Sequence, residues 1–378
     1  MPINTLYATL RQRLTQLRPG ERVTRLRNWA WLLAGMFTKR SVHLSKIAGP
    51  WPSRATLPSR TRRVSRLLDN PAIRVRTWYA PVAQQALRLA ARSGCVRLIA
   101  DGSKVGFDHQ LLMVALAWQR RALPLAWTWV KGARGHSSAL VQQALLGRVY
   151  RLVQTCAPQS RVLVLGDSEF GAVEIMRLLE SWGWRYVLRQ KRNHLVALPG
   201  PAKAVKGPAK GPALWLPLGE LVDKAGGCCW LTGVLLTQEH AHPTNVLAWW
   251  QRGQSEPWLL ATNLSTALET RRAYRCRMWI EEMFGDFKGH GFDLESTHLR
   301  QVARLARLTM AVAMLYLWLM QHGAQVIRRG LRHLVDRADR RDYSVFRLGC
   351  NMVERCLALG LTPFTCCQPN LSPKLSGG

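Results

Sequence analysis

Acidic residues are the scarce class in this chain: 22 Asp and Glu stand against 54 Lys and Arg, for a net charge of +32 and a pI near 11.1. An excess of that size implies a polyanionic partner, because neutralising phosphates releases counterions and drives binding. Anionic membrane is the rival polyanion. Long apolar runs are also lacking. The longest, residues 310–320, is too short to span a bilayer and reads as a buried helix of a C-terminal helical region, so no membrane partner is expected. No N-terminal segment combines the charged, apolar and cleavage parts of a secretory signal. The nine cysteines include no Cys-x-x-Cys pair, which excludes the usual zinc spacing and favours free thiols in a reducing cytosol.

At 378 residues and 48% hydrophobic composition, the chain can bury a sizeable core in two or three domains. Residues 1–90 read as a helical, basic, DNA-binding region, with helix-period apolar positions over 8–17 and 23–36 and short basic helices near 39–48 and 59–68. The last two form either a helix-turn-helix or part of a plain bundle with a solvated basic face. From about residue 95 short apolar strands take over: 95–100 ending in Asp101, an antiparallel pair at 111–118 and 125–130, a helix at 138–154, a strand 161–166 ending in Asp167, a helix at 172–182 and a strand at 186–189. That order predicts an α/β fold with a mixed sheet over 91–195. Residues 196–264 open with a Lys-, Gly- and Pro-rich loop holding Lys203, Lys206 and Lys210, which either binds DNA backbone or is simply solvated. They continue as a β-rich insertion. A long helix opened by Ser265 or Thr266 and the end of the core fill 265–325, and 326–378 is helical with a frayed tail.

Scarcity makes the position of each acid informative. Asp101 and Asp167 each close an apolar strand, and chemistry in α/β sheets concentrates at strand carboxyl ends. A lone Asp there is most often a turn residue; the case rests on a third acid. Glu281 lies in Tyr274-Arg-Cys-Arg277-Met-Trp-Ile-Glu281-Glu-Met-Phe-Gly-Asp-Phe-Lys288. On one ideal helix, at roughly 100° per residue, Tyr274, Arg277, Glu281 and Lys288 fall within about 60° of one another. Ile280, Met283, Phe284 and Phe287 form a separate apolar stripe. Three clustered carboxylates suit a hard cation such as Mg²⁺, and two such ions promote in-line phosphoryl transfer. Arg277 and Lys288 would then clamp phosphates.

These residues resemble the DDE transposases of bacterial insertion sequences, specifically insertion sequence family 4. That family carries Tyr, two residues, Arg, three residues, Glu, six residues, Lys, matched here in every position and gap by Tyr274, Arg277, Glu281 and Lys288. Leu98-Ile-Ala-Asp101-Gly-Ser103 resembles its first aspartate block, which more often has Thr after the Gly. Val164-Leu-Gly-Asp167-Ser-Glu-Phe170 resembles the second, with Ser168 where a basic residue is commoner. The likeness covers about residues 95–320. It implies an RNase H-like catalytic core with a β-rich insertion, and Asp101, Asp167 and Glu281 as catalytic metal ligands for Mg²⁺, with Mn²⁺ as substitute. It further implies cleavage of double-stranded DNA at element ends and transfer of the 3′-hydroxyl into target DNA. A homodimer assembled on DNA, in the cytoplasm of a bacterium and associated with the nucleoid, follows from the need to hold two ends. In relatives the Tyr and the basic pair contact terminal phosphates, and an insertion-domain tryptophan stacks on a flipped base in a hairpin step. Trp258, in Pro257-Trp-Leu-Leu-Ala-Thr-Asn263, best matches that setting and is otherwise a buried strand tryptophan. Trp249 and Trp250 match less well.

Glu169, Glu282 and Asp286 read as surface residues or as supports for the site, and nothing in their spacing brings Asp108 or His136 to it. Two rivals remain at this level: a metal-independent tyrosine recombinase using Tyr274, and a non-catalytic DNA-binding relic of a transposase.

Overall fold

The computed structural model describes residues 2–105, 108–132, 137–198, 214–337 and 339–364. His136, the lysine loop, Cys366, Cys367 and the C-terminal tail lie outside the described residues. Five helices come first: α1 (Pro2–Leu17), α2 (Val23–Lys39), α3 (Leu44–Ala48), α4 (Leu57–Asp69) and α5 (Val75–Ala91). Local signals account for their ends. Arg40 stops α2 in the left-handed region at φ 48°, and the Thr56 hydroxyl caps α4 by accepting from the Ser59 amide, with a proline in the first turn. Their apolar faces, with Trp29 and Trp78 fully enclosed, belong to the same hydrophobic core as the sheet.

The central order is the one the texture predicts: β1 (Cys95–Val105), β2 (His109–Trp118), β3 (Arg121–Lys131), α6 (Ala139–Cys156), β4 (Arg161–Gly166), α7 (Val173–Ser181) and β5 (Arg185–Arg189). β1, β2 and β3 form an antiparallel meander, while β4 lies parallel to β1 and β5 parallel to β4, each after a helical crossover. Where a β-rich insertion is expected, five further strands follow: β6 (Leu195–Leu198), β7 (Leu214–Pro217), β8 (Cys228–Leu236), β9 (His242–Trp249) and β10 (Trp258–Thr262). They do not make a sheet of their own. β10 pairs antiparallel with β5, so one ten-stranded sheet runs β3-β2-β1-β4-β5-β10-β9-β8-β6-β7. The exposed edge of β5 is thereby covered, which apolar Val187 and Leu188, both fully buried, require.

Beyond the sheet come α8 (Ala267–Tyr274), α9 (Trp279–Phe287), α10 (Val302–Arg328) and α11 (Val345–Ala358). Among the described residues α10 is the one helix long and apolar enough to cross a bilayer. It is longer than the apolar run at its centre, and most of its apolar stretch is enclosed by the protein. α10 and α11 cross at bare backbone. A Cβ on Gly323 would collide with the Val345 carbonyl, and one on Gly349 with the Leu319 carbonyl. Gly349→Ala is therefore expected to lower unfolding free energy by about 1–3 kcal/mol or more through overpacking. Urea denaturation tests this, and an unchanged midpoint would show that the helix pair parts without loss.

Candidate active site at the ends of two parallel strands

Strand register sets the first two acids side by side. Ala100 of β1 is opposite Gly166 of β4, so the next residues, Asp101 and Asp167, are neighbours across the pair. β4 ends there. Asp167 caps a single 3₁₀ turn, Ser168–Phe170, its Oδ1 accepting from the Glu169 amide at 2.6 Å. Asp101 does not close its strand as expected. β1 continues to Val105 because antiparallel β2 still pairs with it, Asp101 facing Met113. The Asp101 side chain is 1% exposed, and the Gly102 amide donates to its Oδ1 at 2.8 Å.

The third segment is not the single helix that the angular spacing assumed. Thr266 opens α8 by accepting from the Glu269 amide at 3.2 Å, as one of the two expected caps. A 3₁₀ turn, Arg275–Met278, then interrupts the helix before α9. Within α9 the expected stripe does dock: Ile280, Met283, Phe284 and Phe287 are all buried. The break changes what the signature residues face. Arg277, with its side chain 8% exposed, reaches all three acids: Nη2 lies 3.0 Å from Asp101 Oδ2 and 3.5 Å from Asp167 Oδ2, and Nη1 donates to Glu281 Oε1. Burial alone would lower the guanidinium's pKa; the carboxylates of Asp101, Glu281 and Asp167 outweigh it and hold the group above its ordinary value. The acids thus converge on an arginine. As they stand, no three His, Cys, Asp or Glu side chains among the described residues are grouped to hold a metal ion.

Tyr274 is 1% exposed, and its hydroxyl makes no hydrogen bond. Burial raises its pKa well above the usual phenol value, partly countered by Arg277 and Arg189. Its ring meets half-buried Trp258 edge-on, centroids 5.0 Å apart, and Trp258 in turn meets Trp249 at 5.2 Å. Trp250 donates instead to the Gln254 carbonyl. Lys288 stands just past the end of α9, outside helical geometry, and pairs with Glu295. Asp108 lies at the β2–β3 base, where its carbonyl accepts from Gly132.

Glu169, a surface or supporting residue by its sequence position, is the hub of a hydrogen-bond network. Gln110 donates to its Oε2, and the Ser137 amide and hydroxyl donate to its Oε1; Gln142 donates to its carbonyl. A Cβ on Gly102 would overlap Gln110 and Glu169, so the glycine after Asp101 is what lets this network close against β1. Gln110 and Gln142 carry no sequence signal for this role; Glu169 had only its place two residues beyond Asp167. Glu282 is an exposed partner of Arg121. Asp286 is buried rather than superficial, and desolvation pushes its pKa up to about 7, with Arg121 opposing and Glu282 assisting.

Two outcomes are expected. Arg277→Leu should cost roughly 3–5 kcal/mol of stability in urea, because it strands buried Asp101 and largely buried Asp167, and Arg277→Lys should recover only part, lacking the planar fork. A Leu variant as stable as the parent would deny the guanidinium this role. For Asp286 the folded pKa lies above the unfolded one. Its contribution is therefore fully present below pH 3.8 and is lost as pH rises toward 7. Asp286→Asn should remove that dependence and raise stability at pH 8 by roughly 2–4 kcal/mol; parallel Tm–pH curves for the two proteins would contradict it.

The family model described as Transposase DDE domain matches residues 123–318, just over half of the chain. The match begins beyond Asp101 and includes Asp167 and Glu281. No curated protein matches the chain. With one aspartate on β1, a second just past the end of the parallel strand β4 and a glutamate joined to them through one arginine, the chain belongs to the transposase DDE domain family.

Proposed function

We propose that this transposase serves a bacterial insertion sequence of family 4, binding the element's ends, cleaving them and joining the 3′-hydroxyl to target DNA. The observation that carries the reading is the meeting of Asp101, Asp167 and Glu281 at Arg277, from segments far apart in a chain poor in acids. The order strand, strand, strand, helix, strand, helix, strand supports an RNase H-like core, with β6–β10 as the insertion that lengthens it.

The donor chemistry fits a divalent metal. Three carboxylates, two of them neighbours by register, are gathered around one positive charge, and the guanidinium stands where a cation is favoured. Asp101, Asp167 and Glu281 would hold Mg²⁺, or Mn²⁺ in its place. When bound, the metal supplies activation of a water or 3′-hydroxyl and stabilisation of the leaving oxygen. Arg277 must leave at least part of its carboxylate contacts for this, and its fork is suited to take a DNA phosphate instead. Lys288, tethered to exposed Glu295, adds a second cation for the same backbone. Glu169 ties the Gln110 side chain of β2 to Ser137, beside the glycine that follows Asp101. Trp258 supports a base-stacking role if it swings from its edge-on contacts with Tyr274 and Trp249, as a hairpin route would need. Holding both ends at once calls for a homodimer on DNA.

The Tyr274 hydroxyl is buried and hard to ionise, which argues against a recombinase that attacks DNA with it. Replacing Asp101, Asp167 or Glu281 by Ala is expected to abolish metal-dependent nicking of cognate ends while end binding in gel shifts stays near the parent level. Cleavage that persists in EDTA with a covalent protein–DNA adduct, or that survives Glu281→Ala, would refute the assignment.

A further inference from the structure

The same parallel strands that carry the aspartates begin in a cluster of arginines. Cys95 pairs with Arg161 and Arg97 with Leu163 between β1 and β4, and Leu163 pairs with Arg185 between β4 and β5. Side chains alternate along a strand and registered residues share a face. Arg97, Arg161 and Arg185 therefore stand on one face of the sheet, the face that also bears Asp101 and Asp167. The helical segment that supplies Arg277 covers this end too. Arg272, Glu269 and Cys276 complete a cleft of about 590 Å³.

Four guanidinium groups line the cleft and one carboxylate answers them, Glu269, at 3.5 Å from Arg185. No acid in the lining remains for Arg97, Arg161 or Arg272. Like charges drawn together in this way repel within a Debye length of about 8 Å at physiological salt, and an anion relieves that repulsion. The lining contains no aromatic ring to form a base-stacking platform; its guanidinium groups suit phosphate, for which Arg is the bidentate partner. Arg97 stands four positions before Asp101 and Arg161 six before Asp167, about 13 and 20 Å at strand rise, or about four to six nucleotide steps along a duplex.

We propose that this arginine cleft is a second binding site for the phosphodiester backbone of duplex DNA, about 13–20 Å along the strands from the carboxylates and indifferent to sequence. It rests on the reading that DNA is the partner, but not on catalysis. The test compares Arg97→Gln/Arg161→Gln/Arg185→Gln with Arg337→Gln/Arg340→Gln/Arg341→Gln, an equal charge loss at exposed arginines elsewhere. Affinity for an unrelated duplex and for the element ends is measured over a salt series, after circular dichroism and Tm establish that both variants fold.

The cleft variant is expected to lose at least roughly tenfold in affinity for both duplexes, with the log–log salt slope smaller by about 2–3, near 0.9 for each phosphate no longer neutralised. The control should change by much less, and Arg→Lys at the three cleft positions should restore most of the slope. Equal losses in cleft variant and control would reduce the cleft to general surface charge and overturn the proposal. So would stabilisation of the parent by inorganic pyrophosphate that the cleft variant lacks while its DNA affinity is intact, since the site would then belong to small anions. Parent protein that binds duplex but fails to nick the ends strikes at the transposition reading alone.

Discussion

A single guanidinium holds the candidate site together. Arg277 contacts a residue of β1, the residue following β4, and a residue one turn ahead of it on α9. Without a cation at that point, the like charges of Asp101, almost wholly enclosed, and Asp167 would repel each other across the strand pair. Arg277 thereby fixes where the α8–α9 segment rests on the sheet. Its grip also orients Glu281, whose side chain is otherwise nearly half exposed. An ion pair of this kind adds little net stability over apolar packing, but it makes one arrangement much better than its neighbours.

What Arg277 can hold depends in turn on register. Parallel pairing of β1 with β4 brings Asp101 beside Asp167, and the same ladder extended to β5 brings Arg97, Arg161 and Arg185 to one face at the other end. A slip of one residue would turn every one of these side chains through the sheet. The apolar residues between, such as Leu98, Ile99, Val164 and Leu165, all buried, oppose that slip. Packing that reads as ordinary core therefore carries the placement of both charged clusters.

Much of this was legible in the residues. Alternation of short apolar strands with helices gave the central order, and the strand read at Arg161–Gly166 marks the position of Asp167, since β4 stops there. Asp101 was misplaced within its strand because a glycine and a serine follow it, residues that read as a turn; the pairing with β2 that carries the strand on to Val105 is tertiary and leaves no local trace. The spacing of Tyr274, Arg277, Glu281 and Lys288 was read on an ideal helix, which assumes unbroken 3.6-residue turns. Nothing local to Arg275–Met278 forbids that. The turn tightens there because Tyr274 must enter the core beside Trp258 while Arg277 must reach the strands. Trp258 itself stayed ambiguous, and half-burial between two rings is why: it has the surroundings of a core residue and one flank of an accessible one. The covering of β5 by β10 was likewise invisible, since it joins segments about seventy residues apart.

The 3₁₀ turn is where these demands meet. Residues in such a turn advance about 120° each rather than 100°, so neighbours diverge more sharply than in an α-helix. Cys276 lines the arginine cleft and Arg277, the next residue, enters the carboxylates. One peptide bond thus links the two charged ends of the sheet face. Residues of α8 and of the turn, Glu269, Arg272 and Cys276, thus line the cleft, while the next residue of the same turn places its guanidinium among the acids.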